Sequence, residues 1–268
     1  MLVIVTLFPV FWVIAGSFKS EADSYAYPPK LIPFLQFQPT LDHWTGPGMG
    51  VLNMGNIVSS LLNSTVIALG SSMLAVGIGS LAAYSLARYK FVKWKNEDIG
   101  FWILSNRMFP PAALIIPYLL MFKAINLLDT QPAVIIAHGA MNLPLAVWIA
   151  REFFAGLPKE TEESALVDGC SPLGAFLRVA LPLSIPGLVV CWILCFIFSW
   201  NELLFALTIT SQNAVTLSVM LSGQGRGLMY IWGTINAIGT LSIIVPLILG
   251  FAIQKHIAKG LSFGAVKG

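Results

Sequence analysis

Two groups of polar residues in this sequence have side chains and spacing suited to recognition or chemistry. One is an acidic segment whose candidate residues are Glu163, Ser164, Ala165, Asp168 and Gly169. The other is a set of charged and amide side chains inside apolar stretches: Asn106, Arg107, Asn142, Asn201, Glu202 and Asn236. The sequence shows no Ser/His/Asp set, no H-E-x-x-H pair, and no metal-ligand spacing among its histidines and cysteines. We therefore expect no catalytic centre, metal site or cofactor in this chain.

The composition explains why so few residues are candidates. Of 268 residues, 57% are hydrophobic and only 10% are charged, whereas roughly a quarter of the residues of a soluble domain carry charge. The mean hydropathy of +0.81 is typical of a chain solvated by lipid. A water-soluble enzyme is excluded, and a net charge of +3 without a basic arm indicates no nucleic-acid partner.

Six apolar runs approach the length of about 20 residues that a membrane-spanning helix requires. Because these runs are continuous rather than alternating, they favour helices over a barrel. The first run lacks the basic start of a signal peptide, so we expect it to be a retained span. The sequence predicts an all-α integral membrane protein with a single transmembrane domain over residues 1–268. The predicted spans are 1–18, 57–87, 99–122, 130–150, 183–207 and 232–253, with a polar loop at 19–56.

Charges inside the predicted spans need a physical reason, because each costs about 2.5–3.5 kcal/mol at the centre of a membrane helix. Arg107 and Glu202 either line an aqueous path or clamp neighbouring helices, and the sequence leaves both readings open. Aromatic rings that could line such a path have lipid contact as their alternative role. They are Trp102, Phe109, Tyr118, Trp148 and Trp200.

The basic residues are distributed unevenly between the two predicted sides of the membrane. Ten Lys and Arg residues lie within 88–95, within 151–178 and after residue 254, and four lie on the opposite side. Cytoplasmic loops carry the excess of Lys and Arg in membrane proteins. We expect both termini in the cytoplasm and the loop 19–56 outside.

The segment between the fourth and fifth spans, residues 156–182, has the pattern of two short helices; we call it the elbow. Leu157-Pro158 predicts a helix start, with Glu160, Glu162 and Glu163 in the opening turns, where acids complement the helix dipole. Gly169 predicts a left-handed stop, and Ser171-Pro172 predicts a second start. Apolar residues then recur at helical spacing at Leu173, Phe176, Leu177, Ala180 and Leu181. A stiff connector is one reading of the elbow, and a docking element is the other.

The elbow resembles the EAA signature of permeases from ATP-binding-cassette (ABC) importers. Glu163-Ser164-Ala165, then Gly169, then Leu181-Pro182 carry the resemblance, and Ser164 departs from the usual alanine. The rest of the chain is similar to the maltose-type carbohydrate permeases, in particular to the smaller six-span partner ending in G-A-V-K-G. The similar stretches are 18–19, 82–88, 108–111, 127–130, 200–202 and 260–268.

The resemblance implies a permease subunit of an ABC importer for a carbohydrate or polyol, in a bacterial or archaeal cell membrane. Glu163, Ser164, Ala165, Asp168 and Gly169 would dock on a cytoplasmic ATPase dimer. A second permease would share the translocation path, and an extracytoplasmic binding protein would deliver substrate. Because the chain lacks a G-x-x-x-x-G-K-[ST] loop, ATP and Mg²⁺ would be bound by the separate ATPase subunits.

Two other functions remain as alternatives to an ABC permease. A secondary transporter driven by an ion gradient would use Arg107 and Glu202 as relay residues, but it does not account for the acidic elbow. An intramembrane enzyme would require a catalytic set that the sequence does not show.

Overall fold

The computed structural model describes residues 2–47, 50–224 and 231–265 as a helical protein. Within these residues the only extended pairing is an isolated bridge between Pro33 and Phe37. The chain divides into two compact units, Met1–Thr65 with Ser211–Ile248, and Val66–Thr210 with Leu249–Gly268. The end of the G-A-V-K-G stretch lies outside the described residues.

Helices of six or more residues carry most of the structure that is described. They are α1 (Leu2–Gly16), α2 (Ile57–Arg88), α3 (Asn96–Ser105), α4 (Pro111–Ala124), α5 (Gln131–Ala155), α6 (Lys159–Val167), α7 (Pro172–Trp200), α8 (Leu204–Ile209), α9 (Leu217–Gly223) and α10 (Trp232–Ala265). Short helical turns occupy Glu21–Ser24, Asp42–Thr45, Val51–Asn53 and Asn106–Met108.

Four helices are long and apolar enough to cross a membrane: α2, α5, α7 and the part of α10 up to Phe251. A fifth span is formed if α3 and α4 are taken together, with a bend of 88° between them. The first predicted span, 1–18, corresponds to α1, whose 15 residues are fewer than the roughly 20 of a full span. The described residues thus contain four or five spans, and the sixth stays a prediction.

The bend between α3 and α4 follows from two consecutive prolines. A residue before proline is disfavoured in the α region because the proline ring clashes with its backbone. Phe109 and Pro110 both precede a proline, and both are extended, with ψ values of 132° and 123°. The helix therefore stops at Met108 and restarts at Pro111 in a new direction.

Helix α7 differs from the sequence-based expectation at both ends. It begins at Pro172 rather than near 183, because the predicted second helix of the elbow continues through a π-helical segment, Phe176–Ala180, into the span. It ends at Trp200 rather than near 207. Glu202 therefore lies in the break before α8, whereas the sequence predicted it within a continuous span over 183–207.

The core of the second unit joins α2, α5 and α7 through small and aromatic residues. Buried members include Ala83 and Tyr84 of α2, Phe154 of α5 and Phe176 of α7. Small residues let membrane helices approach closely. At Gly187 an added Cβ would lie 2.2 Å from the ring of Phe153, so no larger residue fits without a shift.

The first unit is held by polar side chains that bridge distant parts of the sequence. Asn63 donates to the carbonyls of Asn213 and Val215 at 2.9 and 3.1 Å. The ammonium of Lys19 lies 4.3 Å from the centre of the Trp12 ring, and burial lowers the pKa of this lysine. The first contact joins α2 to the segment before α9, and the second fixes the start of the polar loop 19–56 against α1.

Candidate functional site

The first half of the elbow is a short helix that ends in a complete Schellman motif. Gly169 has a φ of +89°, the left-handed conformation that glycine adopts without strain. The amide of Cys170 donates to the carbonyl of Ala165 at 3.0 Å, and the amide of Gly169 donates to that of Leu166 at 3.1 Å. The predicted left-handed stop is therefore present, and it fixes the direction in which the chain leaves α6.

The predicted docking residues form a largely exposed surface. Glu163, Ser164, Asp168 and Gly169 are exposed, and Ala165 is half-buried. The Ser164 hydroxyl donates to the carbonyl of Thr161 at 3.0 Å, so it brings no unpaired polar group to this surface. In this respect Ser164 stands in for the alanine of the signature pattern.

Apolar side chains lie exposed beside these residues. They are Leu166 and Val167 at the end of α6, and Leu173 and Leu177 at the start of α7. Val167 is 87% exposed. It belongs to the elbow, which the predicted topology places outside the membrane. Contiguous exposed apolar residues on a polar segment are typical of a protein-interaction surface.

Glu162 is the exception among the acidic residues of α6, because it is buried. Its carboxylate accepts hydrogen bonds from Arg88 and from the hydroxyl of Tyr84, both near the end of α2. The sequence predicted it only as a residue that complements the helix dipole. Arg88 precedes Glu162 by 74 residues, so local spacing could not indicate that the two residues pair.

The second candidate site is a pocket of about 570 Å³ at the bend between α3 and α4, which we call the bend pocket. Aromatic rings from both sides of the bend line it, together with two of the predicted polar residues. Its lining includes Trp102, Asn106, Arg107, Phe109, Tyr118, Met141 and Pro144. Its volume is within the range of about 300–1,000 Å³ that ligand pockets occupy.

Arg107 lies between the bend pocket and a smaller cavity of about 120 Å³, the polar cavity. Its guanidinium donates to the carbonyl of Met141 at 3.2 Å and lies 4.6 Å from the centre of the Phe198 ring. Among the described residues, no carboxylate lies within ion-pair distance of it. A carbonyl and an aromatic face therefore stabilise its charge.

Glu202 lines the polar cavity and caps the next helix. Its carboxylate accepts from the backbone amides of Phe205 at 3.1 Å and Ala206 at 3.2 Å, at the N-terminal end of α8. One of its oxygens also lies 2.9 Å from Nε2 of His138. This partly buried acid thus has several polar partners, which offsets the cost of removing it from water.

A chain of polar groups continues from His138 across the second unit. Its Nδ1 lies 2.8 Å from the hydroxyl of Ser199, which accepts from Ser71 at 2.7 Å. These contacts join α5, α7 and α2. Sequence reasoning missed His138, Ser199 and Ser71, because a lone histidine and two serines on apolar helices carry no signal until the helices pack.

The remaining predicted polar residues do not gather at one place. Asn142 lines the polar cavity and donates to the carbonyl of Cys195 at 3.2 Å. Asn201 is exposed, lies directly after α7 and donates back to the carbonyl of Ile197 at 2.8 Å. Asn236 lies in the other unit, where it packs so close to Gly16 that an added Cβ there would be 2.3 Å from its amide nitrogen.

The five aromatic residues proposed from the sequence separate into two groups. Trp102, Phe109 and Tyr118 line the bend pocket. Trp200 is buried and stacks on Phe196 with ring centres 5.7 Å apart, and Trp148 lines neither cavity. Three of the five rings can therefore contact a ligand in the bend pocket.

Comparisons with known proteins identify relatives of this chain. The chain is 37% identical to the trehalose transport system permease protein SugB of Mycobacterium tuberculosis, covering 98% of this chain and 93% of that protein. It is 32% identical to the trehalose/maltose transport system permease protein MalG of Thermococcus litoralis, covering 100% and 94%. Its fold matches a chain of a bacterial ABC transporter that imports alginate, with a TM-score of 0.74, 22% identity, and coverage of 96% and 92%.

The family described as binding-protein-dependent transport system inner membrane component matches residues 75–263, well over half of the chain. This match contains the elbow, the bend pocket and the polar cavity. The chain belongs to this family of inner-membrane permease components of ABC transporters.

Proposed function

We propose that this chain is one permease subunit of an ATP-driven importer for a carbohydrate or polyol, and that it forms the translocation path with a second permease. The observation that carries the proposal is the exposed elbow, held in one direction by the left-handed turn at Gly169. Its uncovered apolar residues at Leu166, Val167, Leu173 and Leu177 suit a partner protein better than water.

The partner that this surface fits is a cytoplasmic ATPase dimer. In this proposal Glu163, Ser164, Ala165, Asp168 and Gly169 form the docking surface, and closure of the ATPase dimer displaces it. ATP and Mg²⁺ bind on those ATPase subunits, and this chain carries no cofactor. An extracytoplasmic binding protein delivers substrate on the opposite side.

The uneven distribution of Lys and Arg supports an orientation with both termini and the elbow in the cytoplasm of a bacterial or archaeal cell. The loop 19–56 then faces outward, where the binding protein docks. In this arrangement α1 completes the set of six spans, and its two ends lie at the membrane–water interface. A single transmembrane domain over residues 1–268 accounts for all of these parts.

The substrate class is supported by the names of the relatives and by the bend pocket. Relatives are permeases for trehalose and maltose, and another is a diacetylchitobiose permease of Streptomyces coelicolor. Trp102, Phe109 and Tyr118 offer ring faces for the C–H surface of a sugar, and Asn106 and Arg107 offer groups for its hydroxyls. Asn142 and Glu202 line the neighbouring polar cavity. Asn201 and Asn236, the other two residues of the sequence-based path, are in the lining of neither cavity.

The proposed function is tested with the assembled importer in proteoliposomes. The complex with its second permease and ATPase subunits should take up a labelled sugar only when ATP and the loaded binding protein are both supplied. Uptake that follows an imposed ion gradient in the absence of the ATPase would overturn the proposal in favour of a secondary transporter.

The bend pocket is tested in the same preparation with two aromatic variants. Trp102→Ala should raise the KM for uptake while leaving the uptake per ATP unchanged, because it removes a contact with substrate and no contact with the ATPase. Trp148→Ala is the matched control, since Trp148 is also half-exposed in a helix but lines neither cavity. Equal KM values for the two variants would remove the bend pocket from the substrate path.

A further inference from the structure

The buried Glu162 differs from the other acidic residues of α6. Glu160 and Glu163 on the same helix are exposed, whereas 7% of the Glu162 side chain is accessible. A carboxylate is rarely buried unless it is paired, because removing its charge from water is costly. The position of Glu162 therefore requires a compensating structure around it.

Two residues of α2 provide that compensation and occupy both carboxylate oxygens. The Nε and Nη2 atoms of Arg88 donate to Oε1 at 2.9 and 2.6 Å. The Tyr84 hydroxyl donates to Oε2 at 2.9 Å. Arg88 is as buried as its partner, with 7% of its side chain accessible. A charged pair with these hydrogen bonds is geometrically specific as well as strong.

The same arginine makes a second attachment to the elbow. Its Nη2 also donates to the carbonyl of Leu157 at 3.0 Å, immediately before the helix start at Pro158. The end of α2 therefore holds the elbow both before α6 begins and within its first turns. Two points of attachment restrict rotation as well as translation of the helix.

The tyrosine connects this attachment to the other helices that reach the elbow. The Tyr84 ring lies 5.6 Å from that of Phe154, near the end of α5, and 4.9 Å from that of Phe176, near the start of α7. Glu162, Arg88 and Tyr84 therefore lie where three helices and the elbow meet.

We propose that Glu162 and Arg88 are positioning residues that lock the elbow to the end of α2, so that displacement of the docking surface moves α2 instead of bending the elbow. The inference rests on the proposed function, because it describes how the docking surface transmits movement. Neither residue contacts the ATPase; both act by holding the residues that do. We call this set of Glu162, Arg88 and Tyr84 the elbow lock.

The inference is tested by the ratio of sugar uptake to ATP hydrolysis in the reconstituted importer. Glu162→Gln keeps the shape of the side chain but removes its charge. We expect basal ATP hydrolysis to persist and the uptake per ATP to fall about tenfold, within the range of 5–150-fold typical of coupling between sites. Glu160→Gln is the matched control on the same helix and should retain the wild-type ratio.

A charge exchange separates positioning from general stability. The double variant Glu162→Arg with Arg88→Glu restores an ion pair at the same place, so its uptake per ATP should exceed that of either single variant. A double variant no better than the single ones, or a wild-type ratio in Glu162→Gln, would overturn the inference. If the complex with Glu162→Gln does not assemble, uptake per ATP is measured in Arg88→Lys and Tyr84→Phe instead. The inference requires this ratio to fall in both variants.

The proposed function and the elbow lock fail in distinguishable ways. If the wild-type complex shows no ATP-driven uptake, the proposed function is wrong. If the wild-type complex transports and the Glu162 variant transports with equal efficiency, only the elbow lock is wrong.

Discussion

Replacing Gly169 with valine changes the backbone of the elbow without creating a steric clash. Gly169 has a φ of +89°, and no atom lies within 4 Å of the place that a Cβ would occupy. The space is therefore open, and the whole effect comes from the left-handed conformation. Residues with a Cβ pay about 1–2 kcal/mol there.

The magnitude follows from that strain. A change of about 1–2 kcal/mol alters an equilibrium by a factor of about 5–30. Because the turn is exposed, the strain can be relieved by local opening of the Schellman motif rather than by unfolding of the subunit. Opening would release the 3.0 and 3.1 Å hydrogen bonds to Ala165 and Leu166 and change the direction of the chain after α6.

The assay is uptake and ATP hydrolysis measured together in proteoliposomes, with complex assembly checked by co-purification. We expect Gly169→Val to assemble and hydrolyse ATP but to lose most of its uptake per ATP. Gly169→Asn should lose less, because asparagine tolerates left-handed backbone better than other residues. Gly55→Val is the control, since Gly55 also has open space but lacks a left-handed φ. Uptake by Gly169→Val equal to wild type would refute the reasoning.

Three further predictions concern stability. Glu202→Ala should destabilise the purified complex by about 0.5–2 kcal/mol through loss of the α8 cap, measured as a lower Tm than that of the neighbouring control Asn201→Ala. Gly187→Ala should cost about 1–3 kcal/mol by overpacking against Phe153, and a second change, Phe153→Ala, should recover part of the lost Tm. Hydrogen bonds from Lys30 and Ser20 hold the pKa of Asp23 below its usual range. The contribution of these hydrogen bonds is present at neutral pH and is lost as the pH falls through the lowered pKa of Asp23. The protection factors of the amides of residues 20–37, each taken relative to the intrinsic exchange rate at the same pH, should therefore fall in acid, and should fall less in Asp23→Asn.

Sequence patterns predicted best the features that depend on neighbouring residues. Apolar runs of sufficient length predicted α2, α5 and α10, because the bilayer requires each span to satisfy its own backbone. The glycine stop of the elbow was also predictable, since a left-handed residue after a short helix is a local preference. The sequence predicted one continuous third span over 99–122, whereas the structure bends it by 88° through two successive extended conformations at Phe109 and Pro110.

Predictions were weaker where one local sequence pattern is compatible with two different structures. Ser171-Pro172 is a good helix start, yet the sequence could not show that this helix continues through a π-helical segment into α7. Asn201 and Glu202 were assigned to a span from the apolar residues on both sides. In the structure the helix is interrupted at these two residues, and the Glu202 carboxylate accepts hydrogen bonds from the first amides of α8.

The sequence by itself determined the environment of this protein, its helical class, and the glycine turn of the elbow, because all of these arise from composition and contacts within a few residues. Only the tertiary structure decided which polar residues act together. It separated buried Glu162 from exposed Glu163, paired Glu162 with an arginine 74 residues away, and placed His138 beside Glu202. The physical reason is that an ion pair or a buried hydrogen bond depends on how helices pack in space, and adjacent residues with the same side chain can face opposite environments.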